Sequence, residues 1–358
     1  MPRVAIENLK LIEIDDLVNL IGKDLVAIRS ALADSPYAVQ ISAASQDTLN
    51  YSFLETALLE NYAKTMQKMV NFSSGNIKKL LLALSKRLEV SNVKTILRAV
   101  KAHIDVDEAL QHIVPLGILD LNRCRAILEV ARSVEDVIAA LSDFEYGKIL
   151  NHAMDERGED LKLLEVALDE AVYREILKTV KKLTGVDQKI AYKVIGIELD
   201  AINIKIILKG KELSVGPEIV KEYLMPTAFL NEKILEKAMI ATDVKSMMEH
   251  LSMTVEWLHP VYKKIITQML KASNAKLSRL ETILDKAPLE MSLSMLKEHS
   301  RYYNLAFILA FINLKWAEVK NLRCIVKGSE RKRPPSQVRK LLTIPDEWQP
   351  SQLSCSSS

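Results

Sequence analysis

The chain has 358 residues, enough for one large core or two to three domains. Glycine (10) and proline (11) are both scarce and aromatics make up 5%, while Ala, Leu, Ile, Lys and Glu dominate, a composition that favours helix almost throughout. Basic and acidic side chains number 49 and 46, so with a net charge of +3 nothing suggests a general affinity for nucleic acid.

No run of alternating strands is visible, and the expected fold class is all-α. The N-terminus, from Met1 to Glu7, lacks the apolar core of a signal peptide. The first recognisable unit begins with Asp24 to Tyr37, which matches Ser133 to Tyr146 at equal length; a looser third copy starts at Asp243. Next comes Leu54-Glu-Thr-Ala-Leu58, echoed by Leu164-Glu-Val-Ala-Leu168 and Leu280-Glu-Thr-Ile-Leu284. These open long helices over about 54–70, 164–183 and 280–299. Gly75, after Ser73 and Ser74, and Thr184 with Gly185 provide the stops. Pro288 interrupts the third, where a missing N–H and a clash with the preceding turn predict a kink or a split.

The strongest repeat follows. Glu89 to Ala99, Asp200 to Gly210 and Glu318 to Gly328 share one pattern: acid, two residues, Asn, apolar, basic, any, two apolar, basic, small. Asn92, Asn203 and Asn321 are 111 and 118 residues apart, the mark of an internal repeat. At helical spacing the positions one, four and five after the Asn form one apolar stripe, with the two basic residues on the opposite side. Gly210 and Gly328 stand where a helix is expected to stop. The acid projects near the apolar stripe, so Glu89, Asp200 and Glu318 are each expected to meet Lys, Arg or backbone N–H groups of their own repeat. The pattern reads as a repeated packing lock, with a triplicated binding site as the alternative. Each unit is expected to hold a short helix, a loop, a long helix, another helix and then the acid-Asn-basic helix.

Pro115 and Pro226, again 111 apart, follow the first two motifs and mark unit boundaries. The expected domains are 1–113, 114–224 and 225–343, followed by a disordered tail at 344–358 with no counterpart of those proline segments. Leu305 to Leu314 is the most apolar stretch but too short to span a bilayer, so a buried helix is expected there. Arg331 to Arg333 reads as a solvated linker, and Met247, Met248 and Met253 as core filling or an adaptable interface.

Chemistry is harder to place. The six histidines are His103, His112, His152, His250, His259 and His299; none shows helical metal-ligand spacing. No phosphate-binding glycine loop or nucleophile elbow occurs. Cys124, Cys324 and Cys355 are far apart and odd in number, which fits a reducing cytoplasm better than disulfides or zinc. No catalytic, cofactor-binding or metal residue is expected. Glu55, Glu165 and Glu281 belong to different units and read as structural equivalents rather than a catalytic triad.

The triplicated motif with its period near 110, best seen from Asp200 to Gly210 and Ala317 to Gly328, resembles the C subunit of the archaeal-type (A/V-type) rotary ATPases, whose vacuolar relative is the d subunit. The segment Pro334 to Arg339 is similar to that family's ending. The resemblance covers about residues 15–343. It implies three similar helical domains in a pseudo-threefold funnel, seated on the cytoplasmic face of the membrane proteolipid ring. It further implies partners in the D and F subunits of the shaft, no cofactor, and no catalysis: a spacer that passes torque. Lys94, Lys205 and Arg323 are then expected to face the cavity that receives the shaft. Other readings are a generic helical-repeat adaptor and an enzyme with a closed pocket of perturbed carboxylates.

Overall fold

The computed structural model describes residues 11–42, 50–254, 258–299 and 304–345. Among them lie eighteen helices and no strand, so the chain is all-α. In chain order they are α1 (Ile14–Asn19), α2 (Leu25–Ala33), α3 (Ala38–Ile41), α4 (Tyr51–Phe72), α5 (Gly75–Lys101) and α6 (Val106–Leu110). Then follow α7 (Leu121–Val130), α8 (Val134–Ala140), α9 (Glu145–Arg157), α10 (Leu161–Val180), α11 (Gly185–Glu212) and α12 (Pro217–Lys221). The last six are α13 (Glu232–Ile240), α14 (Val244–Thr254), α15 (Pro260–Lys271), α16 (Leu277–Glu298), α17 (Leu305–Glu330) and α18 (Pro335–Lys340). The same six-helix order occurs three times.

Helix starts repeat with the helices. Asp24 accepts from the Ala27 N–H, Ser133 forms a capping box with Asp136, and Asp243 accepts from the Ser246 N–H. These caps satisfy first-turn donors that lack intrahelical partners. They fall at the three starts aligned in the sequence.

Two expectations about the long helices need correction. The acid-Asn-basic segment is no separate helix; it is the C-terminal part of α5, α11 and α17. Nor does Pro288 split α16, which runs unbroken from Leu277 to Glu298. The lost hydrogen bond and ring clash cost about 3 kcal/mol in an isolated helix. Here Leu284, Ala287, Leu289 and Met291 around the proline are all buried, and α16 packs along α11 and α15. At about 1.5–3 kcal/mol for each large apolar side chain, that burial outweighs the defect. Ser292 also donates to the Pro288 carbonyl at 2.7 Å.

Gly210 and Gly328 do not end their helices, which run two residues further. The ends lie at His103, Ser214 and Lys332, the three non-glycine residues with positive φ (53°, 54° and 50°) among the described residues. Beyond each, the N–H of Ile104, Val215 or Arg333 reaches back to the carbonyl of Ala99, Gly210 or Gly328. That is the Schellman closure, with an ordinary residue in the left-handed position that glycine usually takes. Gly210 has another role: a Cβ there would sit 2.4 Å from Val220 Cγ2, so glycine permits close approach to α12.

The chain forms two compact units. One contains 180–321 with the described residues from Ser336 onward, and its core is built on α11, α16 and the helices between them. The other contains the described residues up to Thr179 with 322–335; there α4 packs on α5, and α5 packs on α7 and α8. Leu305 to Ile312 are buried without interruption. No helix among the described residues is long and apolar enough to cross a membrane. The expected tail from 346 onward, with Cys355, lies outside the described residues, as do Met1 to Lys10.

Candidate functional site: the repeated junctions

The predicted apolar stripe is buried in every copy: Val93, Ile96 and Leu97; Ile204, Ile207 and Leu208; Leu322, Ile325 and Val326. The Asn at the stripe's edge is buried too, and each makes the same two bonds. Asn92 donates to the Val114 carbonyl at 2.7 Å and accepts from its N–H at 2.8 Å. Asn203 does the same with Met225, at 3.2 and 2.8 Å. Asn321 does the same with Thr343, at 3.0 and 2.7 Å. The side-chain amide thus clamps one residue's backbone, a role needing a donor and an acceptor on one fork, which Asp cannot supply. The clamped residue lies 22 positions on in each case, so the third unit does have a counterpart of the first two proline segments.

The acids sit one helical turn before the Asn, and two of them reach beyond their own repeat. Glu89 accepts from the Tyr146 hydroxyl at 2.8 Å. Asp200 accepts from the Tyr262 hydroxyl at 2.7 Å and from the Phe229 and Leu230 N–H groups at 3.3 and 3.2 Å. The expectation of partners within one repeat fails there, because the nearest polar groups belong to the following segment. It holds for Glu318, which pairs with Lys315 at 2.7 Å, both buried. Burial pushes Asp200 up to about 6 despite its hydrogen bonds, and pushes Glu89 up as well. Gly117 shows how tightly the first acid is enclosed: its φ is +79°, and a Cβ would lie 1.9 Å from Glu89 Oε1.

The first base of each motif, Lys94, Lys205 or Arg323, is partly covered, whereas the second, Arg98, Lys209 or Lys327, is exposed. Each first base meets a carboxylate on the long helix of another repeat. Lys94 pairs with Asp169, while Arg98 forks onto Glu165 with both bonds at 2.5 Å. Lys205 pairs with Asp285 at 2.5 Å, and Lys209 lies 3.6 Å from Glu281. Arg323 pairs with Glu55, and the Lys327 ammonium stands 5.8 Å over the Tyr51 ring. The order of hand-over is cyclic: first repeat to second, second to third, third to first. Glu165 and Glu281 receive the second base of the preceding motif, whereas Glu55 receives the first.

Position four after each of these glutamates is Leu59, Asp169 and Asp285. Where the Asp is missing, Arg323 moves to the glutamate. Burial would raise Glu55, but the Arg323 charge and bonds from Tyr51 and Arg323 hold its carboxyl below the usual range. Burial raises Asp169, and Lys94 alone does not offset it. At Asp285 two lysines, Lys320 and Lys205, outweigh burial and keep the carboxyl low.

Sequence reasoning found the Asn, the acids and the bases but missed their partners. Tyr146 ends the aligned segment Ser133 to Tyr146, but Tyr262 lies beyond the looser copy that starts at Asp243, so the alignment did not pair the two tyrosines. The clamped residues carry no side-chain signature, since only their backbone is used. Among the described residues, no group of three or more His, Cys, Asp or Glu is placed to hold a metal ion.

The family described as ATP synthase (C/AC39) subunit matches residues 3–341. The chain is 25% identical over 338 residues to the C subunit of the A-type ATP synthase of Methanocaldococcus jannaschii, covering 93% of this chain and 80% of that one. It is 25% identical to the protein of the same name from Methanosarcina mazei, covering 92% and 87%. It is 23% identical to that from Archaeoglobus fulgidus, covering 96% and 94%. With nearly its whole length matched, the chain belongs to the ATP synthase (C/AC39) subunit family.

Proposed function

We propose that this protein is the non-catalytic central-stalk connector of an A/V-type rotary ATPase, joining the D and F subunits of the shaft to the membrane proteolipid ring. The relatives, named as C subunits of A-type ATP synthases, supply the complex. The observation that carries the mechanical role is the cyclic set of junctions. A part that transmits torque must resist shear between its modules. Each junction combines a buried apolar stripe, an Asn clamp on backbone and a charge contact to the next long helix. Close packing gives low compressibility, and directional bonds fix register.

The three repeats, 1–113, 114–224 and 225–343, would act as three like domains arranged as a funnel around the shaft. The protein would sit peripherally on the cytoplasmic face of the membrane, held there by the ring. Contacts with the shaft would come from surfaces other than Lys94, Lys205 and Arg323, whose charges are engaged within the protein.

A native pull-down from detergent-solubilised membranes tests the reading. Proteolipid and both shaft proteins should co-elute, identified by mass. Recovery of the tagged protein with other partners and without ring or shaft would overturn it in favour of a helical-repeat adaptor.

A further inference from the structure

The position before the motif asparagine is Ser91 in the first copy, Ile202 in the second and Lys320 in the third. Lys320 is thus a cation the repeat does not require, and it lands on a carboxylate already in use. Lys205 Nζ lies 2.5 Å from Asp285 Oδ1, and Lys320 Nζ lies 3.4 Å from the same oxygen. One oxygen therefore faces two ammonium groups, from α11 and α17, and holds the Lys320 group less closely. Glu198 on α11 is the other charged group acting on Lys320. Burial, the largest influence, pushes the Lys320 amine below its ordinary range; Lys205 reinforces that, and Asp285 and Glu198 oppose it without cancelling it. The Lys320 side chain is still 33% exposed, so a small reagent can reach it. A partly desolvated lysine beside a second cation is a standard arrangement for an amine nucleophile.

We propose that Lys320 is a covalent modification site: a nucleophilic amine that accepts an acyl group from small acyl phosphates. The neutral amine attacks the acyl carbon, and a C–N bond forms. The C–O bond to phosphorus breaks, phosphate leaves with the electron pair, and the surplus proton on nitrogen passes to water. Acylation removes the surplus charge and leaves Asp285 with Lys205, so the junction persists.

The test uses the intact full-length protein with isotopically labelled acetyl phosphate. Acetylation of each lysine is followed by peptide mass spectrometry over time and across pH. Lys78 and Lys79, both exposed, are the references. Near neutral pH Lys320 should react about threefold faster or more, since a lowered pKa enlarges the free-amine fraction more than it reduces nucleophilicity. Its rate should also reach half-maximum at lower pH than the references. Lys205→Gln removes the neighbouring like charge and should slow Lys320 and raise its midpoint, with circular dichroism confirming the fold. The wild-type pH profile decides the matter by itself if that variant does not fold. An unreactive Lys320, or one matching the references in rate and midpoint, would overturn the proposal.

Discussion

The junction between the second and third repeats and the junction between the third and the first begin from the same motif and end differently. In the former, Lys205 and Lys209 meet Asp285 and Glu281, two acids one turn apart on α16. In the latter, the corresponding turn of α4 offers Glu55 and then Leu59, so only one acid is available. The first base is here an Arg, which directs both Nε and Nη2 at Glu55 Oε1, while Lys327 is left to the Tyr51 ring. Two part-exposed pairs are thus replaced by a single buried carboxylate under a guanidinium. A repeat can keep its motif and exchange its partner, provided no buried charge is left alone.

The largest effect is expected where the junctions do not differ. Asn92→Ala, Asn203→Ala and Asn321→Ala each strand a buried N–H and a buried carbonyl, at about 1–3 kcal/mol apiece. Chemical denaturation should show losses of about 3 kcal/mol at all three sites. A loss confined to one would break their equivalence.

The next effect separates the junctions. Arg323→Ala leaves Glu55 buried with only the Tyr51 hydroxyl and, at 3.8 Å, the His112 ring beside it, and should cost about 2 kcal/mol after allowance for the solvent that reaches the guanidinium. Arg98→Ala removes a largely exposed cation and should cost about 0.5 kcal/mol. The Arg323 effect should depend on pH. Glu55 is held below its ordinary value, so its contribution is present above the unfolded pKa, near 4.5, and is lost as pH falls through the lower folded value. Wild type and Arg323→Ala should therefore converge in acid.

Asp200 has the opposite sign. Its pKa is raised to about 6 from an unfolded value of 3.8, so the folded state binds the proton more tightly in that window. Its contribution is favourable below about pH 4 and declines as pH rises to about 6, by roughly 1–3 kcal/mol. Asp200→Asn removes the titrating group and should remove that part of the stability–pH curve, at the cost of leaving donors on one side of the former carboxylate facing an amide NH2.

The smallest effect is a gain. His103→Gly, Ser214→Gly and Lys332→Gly each relieve a left-handed residue at a helix end, and each should raise stability by about 0.5–1 kcal/mol.

How much of this was legible follows from how local each feature is. Helix content, the apolar stripe and the threefold period are written in neighbouring residues, and all appear in the structure. The junction partners are not local: Asp169 and Asp285 gain meaning only when a helix of another repeat lies beside them. That Lys94, Lys205 and Arg323 would meet carboxylates of another repeat could not be seen from one helix, whose sequence shows only its own polar side. The glycine rule misled for a physical reason. Gly210 is needed for approach to Val220, while the turn falls on Ser214, whose place the Schellman bonds hold. Of the kink or split expected at Pro288, the split does not occur, because packing outweighed propensity. The charges that suggested a surface for the proposed shaft are used between repeats.

A double-mutant cycle on Glu55 and Arg323 probes the third-to-first junction most directly. Stability is measured for the wild type, Glu55→Gln, Arg323→Gln and the double variant. A coupling of about 1–3 kcal/mol at neutral pH, vanishing in acid, is expected for a buried pair that locks the last repeat to the first. A coupling indistinguishable from zero at neutral pH would contradict that lock, and with it the cyclic hand-over on which the proposed mechanical role rests.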